Sequence, residues 1–190
     1  MIDALAKTFR DSRLPSITAN GVLDTPVLEA ALEMLESLAF ERFDLADRGA
    51  YEASQAIAPG DVEGALVDLA SAVSGLSLEA RARRWYRLSA GDYTLAKDDR
   101  WAREAGLRGA DEAWFDLTLD LSIEPTGEGE VVFTHRGAAF FTVPQRLGQI
   151  GLVARGPTVA RFDRYLTFRV GDRRVDRLRL LLVERGTRSA

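Results

Sequence analysis

The chain has 190 residues, a net charge of −4, no cysteine and a single histidine, His135. Those counts exclude disulfides, thiolate nucleophiles, iron–sulfur clusters, cysteine-bearing zinc sites and any metal set that needs two histidines from one chain. A chain without cysteine suits a reducing cytosol, and no apolar run resembles a signal peptide or an ~18-residue membrane span, so the expected location is cytoplasmic.

Residues 1–75 read as a helical layer. Asp24-Thr25-Pro26 offers cap candidates and a proline for a first turn, and Val27, Leu28, Ala31, Leu32, Leu35 and Leu38 follow at helical spacing. Pro59-Gly60-Asp61 opens a second helix with Val62, Leu66, Leu69 and Val73 on one face and Gly75 placed to end it. The stretch between them, 44–58, is read as a loop with a short helix.

After Gly75 the period becomes alternating. Strands are predicted over 79–88, 93–96, 114–122, 130–134, 138–143, 149–154, 163–170 and 175–183, joined by turns such as Arg136-Gly137, Gly156-Pro157 and Gly171-Asp172. Helices followed by about eight short strands predict an α+β fold. In it the N-terminal helices pack on a double-stranded β-helix, a jelly-roll or cupin-like core, as one domain with a helical layer over 1–75 and the core over 76–185.

Charge is laid out unevenly. Residues 1–80 carry 14 acidic and 5 basic side chains, whereas 135–190 carry 4 acidic and 12 basic, all arginine. An arginine-rich surface over 155–179 would suit nucleic acid, but no stacking-aromatic pattern accompanies it, and solvated strand faces are the simpler reading. Trp85, Trp101 and Trp114 have no period and read as packing residues; His135, beside a turn glycine, reads as an exposed polar residue.

The order of signals along 80–183 resembles the 2-oxoglutarate/Fe(II)-dependent oxygenases of the prolyl-4-hydroxylase-like group. An Arg-bearing strand, the turn Gly91-Asp92-Tyr93 followed by Leu95 and an acidic pair, a strand at 115–121, Gly129-Glu130-Val131, Pro144 and Gly148, and a terminal Arg-Leu strand carry the resemblance. It implies iron held by a His-x-Asp pair and a second His, three ligands on one face that leave adjacent positions open. The pair falls on Lys97-Asp98-Asp99, where Asp99 matches and Lys97 does not; the second His falls near Asp163. The arginine that would pair with the distal carboxylate of 2-oxoglutarate matches Arg177, with Arg179 the nearest alternative.

Strand parity places Arg177, Arg179, Leu181 and Val183 on one face and Leu178, Leu180 and Leu182 on the other. An arginine sharing a face with Leu181 and Val183 needs an anionic partner, which is either a ligand carboxylate or one of Asp92, Asp116 and Asp120. At position 97 an ammonium repels a divalent cation. If Lys97 faces Asp99 and Asp163, it replaces the metal as their counter-charge.

These readings converge on an oxygenase-like protein with a degenerate, metal-free centre, a pseudoenzyme. The former pocket, lined by Lys97, Asp99, Asp163 and Arg177, would take a small anion, a peptide or a partner protein, with no cofactor and no membrane. The competing readings are an active dioxygenase or other metal-dependent enzyme, which would use 2-oxoglutarate and Fe(II), or Mg²⁺ or Mn²⁺ on Asp98, Asp99 and Asp163, and an arginine-rich nucleic-acid binder.

Overall fold

The alternating C-terminal sequence supplies most strands of two antiparallel sheets that face one another. The structure, a computed structural model, describes residues 1–46, 49–95, 100–107 and 113–186. In chain order the elements are α1 (Ile2–Asp11), β1 (Ser16–Ala19), α2 (Thr25–Ser37), β2 (Glu41–Leu45), β3 (Gly49–Ser54), α3 (Gly60–Ser74) and β4 (Leu78–Leu88). There follow β5 (Tyr93–Thr94), α4 (Arg100–Glu104), β6 (Trp114–Asp120), β7 (Val131–His135), β8 (Ala138–Val143), β9 (Ile150–Arg155), β10 (Val159–Asp163) and β11 (Val175–Glu184). The larger sheet runs β1-β9-β6-β11-β4-β3-β2, with β5 paired to β3, and the smaller runs β10-β7-β8.

β6 and β11, at the centre of the large sheet, are buried on both faces, and the two faces differ. Phe115, Leu117 and Leu119 of β6, Leu178, Leu180 and Leu182 of β11 and Trp85 of β4 form one core with Phe9 of α1, Ala31 and Leu35 of α2, and Val62, Leu66, Leu69 and Val73 of α3. The period-2 faces of the strands meet the 3.6-residue faces of the helices there. Gly75, at φ 78°, ends α3 as the sequence predicts, because only a residue without Cβ enters that left-handed conformation without strain.

The opposite face looks into the space between the sheets. Val131 and Phe133 of β7, Val143 of β8, Val153 of β9 and Val159 of β10 close one part of it. Gly151 of β9 lets the sheets approach, since a Cβ there would stand 2.3 Å from Val143 Cγ2.

Two sequence expectations need correction. Residues Glu41–Leu45 and Gly49–Ser54 are the paired strands β2 and β3, and β1 adds a further strand, so the stretch 1–75 contributes three strands to the large sheet as well as its helices. Short strands with few large apolar residues are made by pairing with other strands, which local periodicity does not register. The strand expected at 163–170 lies instead at 159–163. From Arg164 onward the backbone leaves the small sheet: Arg164 N donates to Glu130 O, Leu166 N to Asp92 O, and Thr167 N to the Glu128 carboxylate, before a 3-10 turn at Phe168–Val170. No helix is long and apolar enough to cross a membrane among the described residues.

Candidate functional site

The inward positions of four strands carry a buried charged layer. Asp116 and Asp120 come from β6, Arg177 and Arg179 from β11, Arg155 from β9, and Arg161 and Asp163 from β10, all at most 4% exposed. Alternation puts them there, since their neighbours Leu117, Leu119, Leu178 and Leu180 face the helices. Ions withdrawn from water to this degree are tolerated only when paired and hydrogen-bonded.

The layer meets most of that demand around two centres, Arg161 Nε alone of the atoms of Arg161 and Arg177 having no hydrogen-bond partner among the described residues. At one, Arg177 Nη1 donates to Asp163 Oδ1 at 2.8 Å, Arg177 Nε to Asp120 Oδ2 at 3.1 Å, and Arg177 Nη2 to the Gly129 carbonyl at 2.6 Å. Arg161 lies 3.1 Å from Asp163 Oδ2, and the Thr94 hydroxyl donates to that same oxygen at 2.9 Å while accepting from Asp163 N at 2.6 Å. At the other centre Arg179 grips Asp116 through two donors, Nε at 2.9 Å among them, and Arg155 Nη1 donates to Asp116 Oδ2 at 3.1 Å. Glycine is needed at 129, at φ 77°, because a Cβ there would stand 2.7 Å from Leu166 Cδ2. That close approach brings the carbonyl to Arg177.

The surrounding cations decide how the carboxyl groups titrate. Burial pushes Asp116 up, but Arg179, Arg161 and Arg155 outweigh it and hold the carboxyl at about 2. For Asp163, burial is again opposed, by Arg161, Arg177 and the Thr94 hydroxyl, and the carboxyl ends below its ordinary value. Asp120 goes the other way: burial raises it more than Arg177 and Ser122 lower it. Arg161 is lowered by burial and by Arg179, against the pull of Asp163 and Asp116.

Trp101 of α4 sits between two guanidinium groups at the edge of this layer, 4.8 Å from that of Arg179 and 5.0 Å from that of Arg84. Arg84 and Arg179 are cross-strand partners. Like charges facing across a ladder repel, and the aromatic face and Asp116 offset that repulsion.

Of the residues singled out in the sequence, Asp163 and Arg177 are brought into direct contact, while Arg179 belongs to the neighbouring centre. Lys97 and Asp99, with Asp98, lie outside the described residues. Both arginines offered as carboxylate-binding residues take protein carboxylates, Arg177 those of Asp120 and Asp163 and Arg179 that of Asp116; the third candidate partner, Asp92, binds Arg42 instead. Trp85, Trp101 and Trp114 are core residues, and His135 closes β7 beside the Arg136-Gly137 turn. The sequence reading missed Arg161, Arg155 and Thr94. With β10 placed at 159–163, Arg161 falls on the face of Asp163 by simple parity.

The same arrangement of sheets recurs in solved structures. A 2OG-Fe(II) oxygenase family oxidoreductase from Burkholderia pseudomallei matches 96% of this chain and 91% of its own, with a TM-score of 0.68 and 12% identity. The fold is that of the 2-oxoglutarate/Fe(II) oxygenases. A prolyl-4-hydroxylase from Pseudomonas putida has the oxygenase fold over 98% of this chain and all of its own (TM-score 0.64, 14% identity). The non-heme alpha-ketoglutarate-dependent epimerase SnoN of nogalamycin biosynthesis covers 96% and 82% (TM-score 0.67, 17% identity). At these identities the likeness is one of fold. No protein-family model and no curated protein matches the sequence.

Proposed function

We propose that this protein is an oxygenase-fold binding protein with a degenerate metal centre, which uses the region of the former active site to hold a small anion, a peptide or a partner protein. The observation that carries the reading is the state of Asp163. The resemblance puts the second iron-binding histidine near this position, and both carboxylate oxygens of Asp163 are engaged by Arg161, Arg177 and Thr94. A divalent cation at Asp163 would have to displace two guanidinium groups that already balance the charge. Arg177, matched to the arginine for 2-oxoglutarate, has Nε, Nη1 and Nη2 all committed to protein oxygens. The residues at this centre therefore do not fit iron or the distal carboxylate of the co-substrate. Among the described residues no three His, Cys, Asp or Glu side chains are grouped as metal donors.

Metal analysis of protein purified without chelators, followed by calorimetric titration with Fe(II) and 2-oxoglutarate, tests the proposal. Sub-stoichiometric iron and no saturable co-substrate binding are expected. One tightly held iron per chain, or succinate formed on incubation with 2-oxoglutarate, overturns it.

A further inference from the structure

The large sheet has an interruption beside β4. This strand pairs with β11 from Leu78 to Leu88, with a bulge at Arg81, but with β3 only at Trp85, Tyr86 and Arg87, because β3 ends at Ser54. From Glu79 to Arg84 no strand among the described residues pairs with the other edge. An unpaired row of backbone donors and acceptors in a sheet is a template for a further strand. The backbone N–H of Leu78, at the end of this stretch, is taken by Ser71 Oγ at 3.1 Å. Beyond it, residues 79–83 are half-buried or exposed.

Clefts follow this edge in series. One of ≈ 490 Å³ lies between Glu79, Ala80 and the face of α3 around Glu63 and Val67. The next, ≈ 250 Å³, is lined by Ala82, Arg83, Arg84, Trp101 and Gln55, and a third, ≈ 210 Å³, shares Gln55 and Arg84 with it.

Arg84 stands at the junction with one distant carboxylate as its ionic partner. It is 6% exposed, Nε has no hydrogen-bond partner, and the paired carboxylate, Glu104, is 3.8 Å away and half exposed. Every arginine of the neighbouring buried layer has a carboxylate within 3.1 Å. A buried guanidinium of this kind is completed by an acceptor brought from outside.

We propose that the edge of β4 from Glu79 to Arg84 receives an extended segment of a partner protein as an added strand, with an acidic side chain of that segment bound to Arg84. Six residues at ~3.3 Å each give an ~20 Å track, so the segment is about six residues long. Main-chain hydrogen bonds supply affinity, and the contact with Arg84 beside Trp101 sets which residue must be acidic. The site is separate from the Asp163 centre, and its presence does not depend on whether that centre binds metal.

Selection of displayed random heptapeptides on the full chain, run in parallel on Arg84→Gln, tests this. Expected are proline-free sequences of alternating polarity with one fixed Asp or Glu, slowed amide exchange at 79–84 on binding, and affinity for Arg84→Gln weaker by about tenfold. On the wild-type protein, Asp→Asn in the peptide should give the same loss, and N-methylation at its centre should abolish binding; these two comparisons stand even if Arg84→Gln does not fold. The proposal is overturned by no enrichment, by hits that tolerate N-methylation or protect other amides, or by concentration-dependent dimers that bury this edge against a second copy.

Discussion

Arg177 and Asp163 are joined at 2.8 Å between the two sheets, on β11 and β10, at 1% exposure each. The pair links the large sheet to the small one, and Asp120 and Arg161 extend it on either side. Both the proposed loss of iron binding and the stability of the interior depend on this contact.

Replacing Asp163 by Asn should destabilise the fold by about 3–5 kcal/mol, because it leaves buried guanidinium charge without its counter-charge. Urea unfolding at pH 7 measures this. A loss below about 1 kcal/mol would mean that the pair is not held as described.

Removing the Arg83–Glu63 pair should cost little by comparison. Its side chains are 26% and 22% exposed, so water screens them and replaces part of what is lost. Glu63→Gln is expected to change unfolding stability by under ~1 kcal/mol. Equal losses for Glu63→Gln and Asp163→Asn would contradict the contrast in burial.

Stability should fall between about pH 4 and pH 2. The folded Asp116 carboxyl sits at about 2 against 3.8 for the ordinary group, so its contribution is complete above 3.8 and is lost as pH falls through the folded value. The difference corresponds to roughly 2 kcal/mol. Asp163, also lowered, acts in the same direction, and Asp120, raised, acts in the opposite one. Urea midpoints at pH 5, 4, 3 and 2 should decline more steeply for the wild type than for Asp116→Asn, which lacks the titrating group. Parallel profiles would show that Asp116 is not the carboxyl responsible.

Gly151→Ala should destabilise by about 1–3 kcal/mol through overpacking against Val143. In the double variant with Val143→Ala the two losses should be less than additive, because shortening Val143 makes room for the new methyl group. Full additivity, read from a double-mutant cycle in urea, would show that the two positions do not touch.

The sites of these substitutions separate what was legible locally from what was not. The alternation in 175–183 placed Arg177 and Arg179 opposite Leu178, Leu180 and Leu182, and the helices opened by Pro26 and by Pro59-Gly60 lie where their signals stand. The strands Glu41–Leu45 and Gly49–Ser54 carried no comparable signal, since Glu41, Arg42, Asp44 and Glu52 break the apolar pattern and pairing alone makes them strands. The Asp163 centre was legible in part. Its aspartate and Arg177 were found, while Arg161 and Thr94 were hidden by the misplacement of one strand.

The sequence by itself determined the chemistry that is absent and the parity of the strands: one histidine, no cysteine, and arginines that must share a face with leucines. The partners of those arginines were a matter for the tertiary structure alone. A buried guanidinium accepts any carboxylate that reaches it, and which one does depends on sheet order and register between segments tens of residues apart. The packing of β10 opposite β11 joins Arg177 to Asp163, and the end of β3 at Ser54 leaves Arg84 beside a stretch of β4 edge that no strand among the described residues pairs.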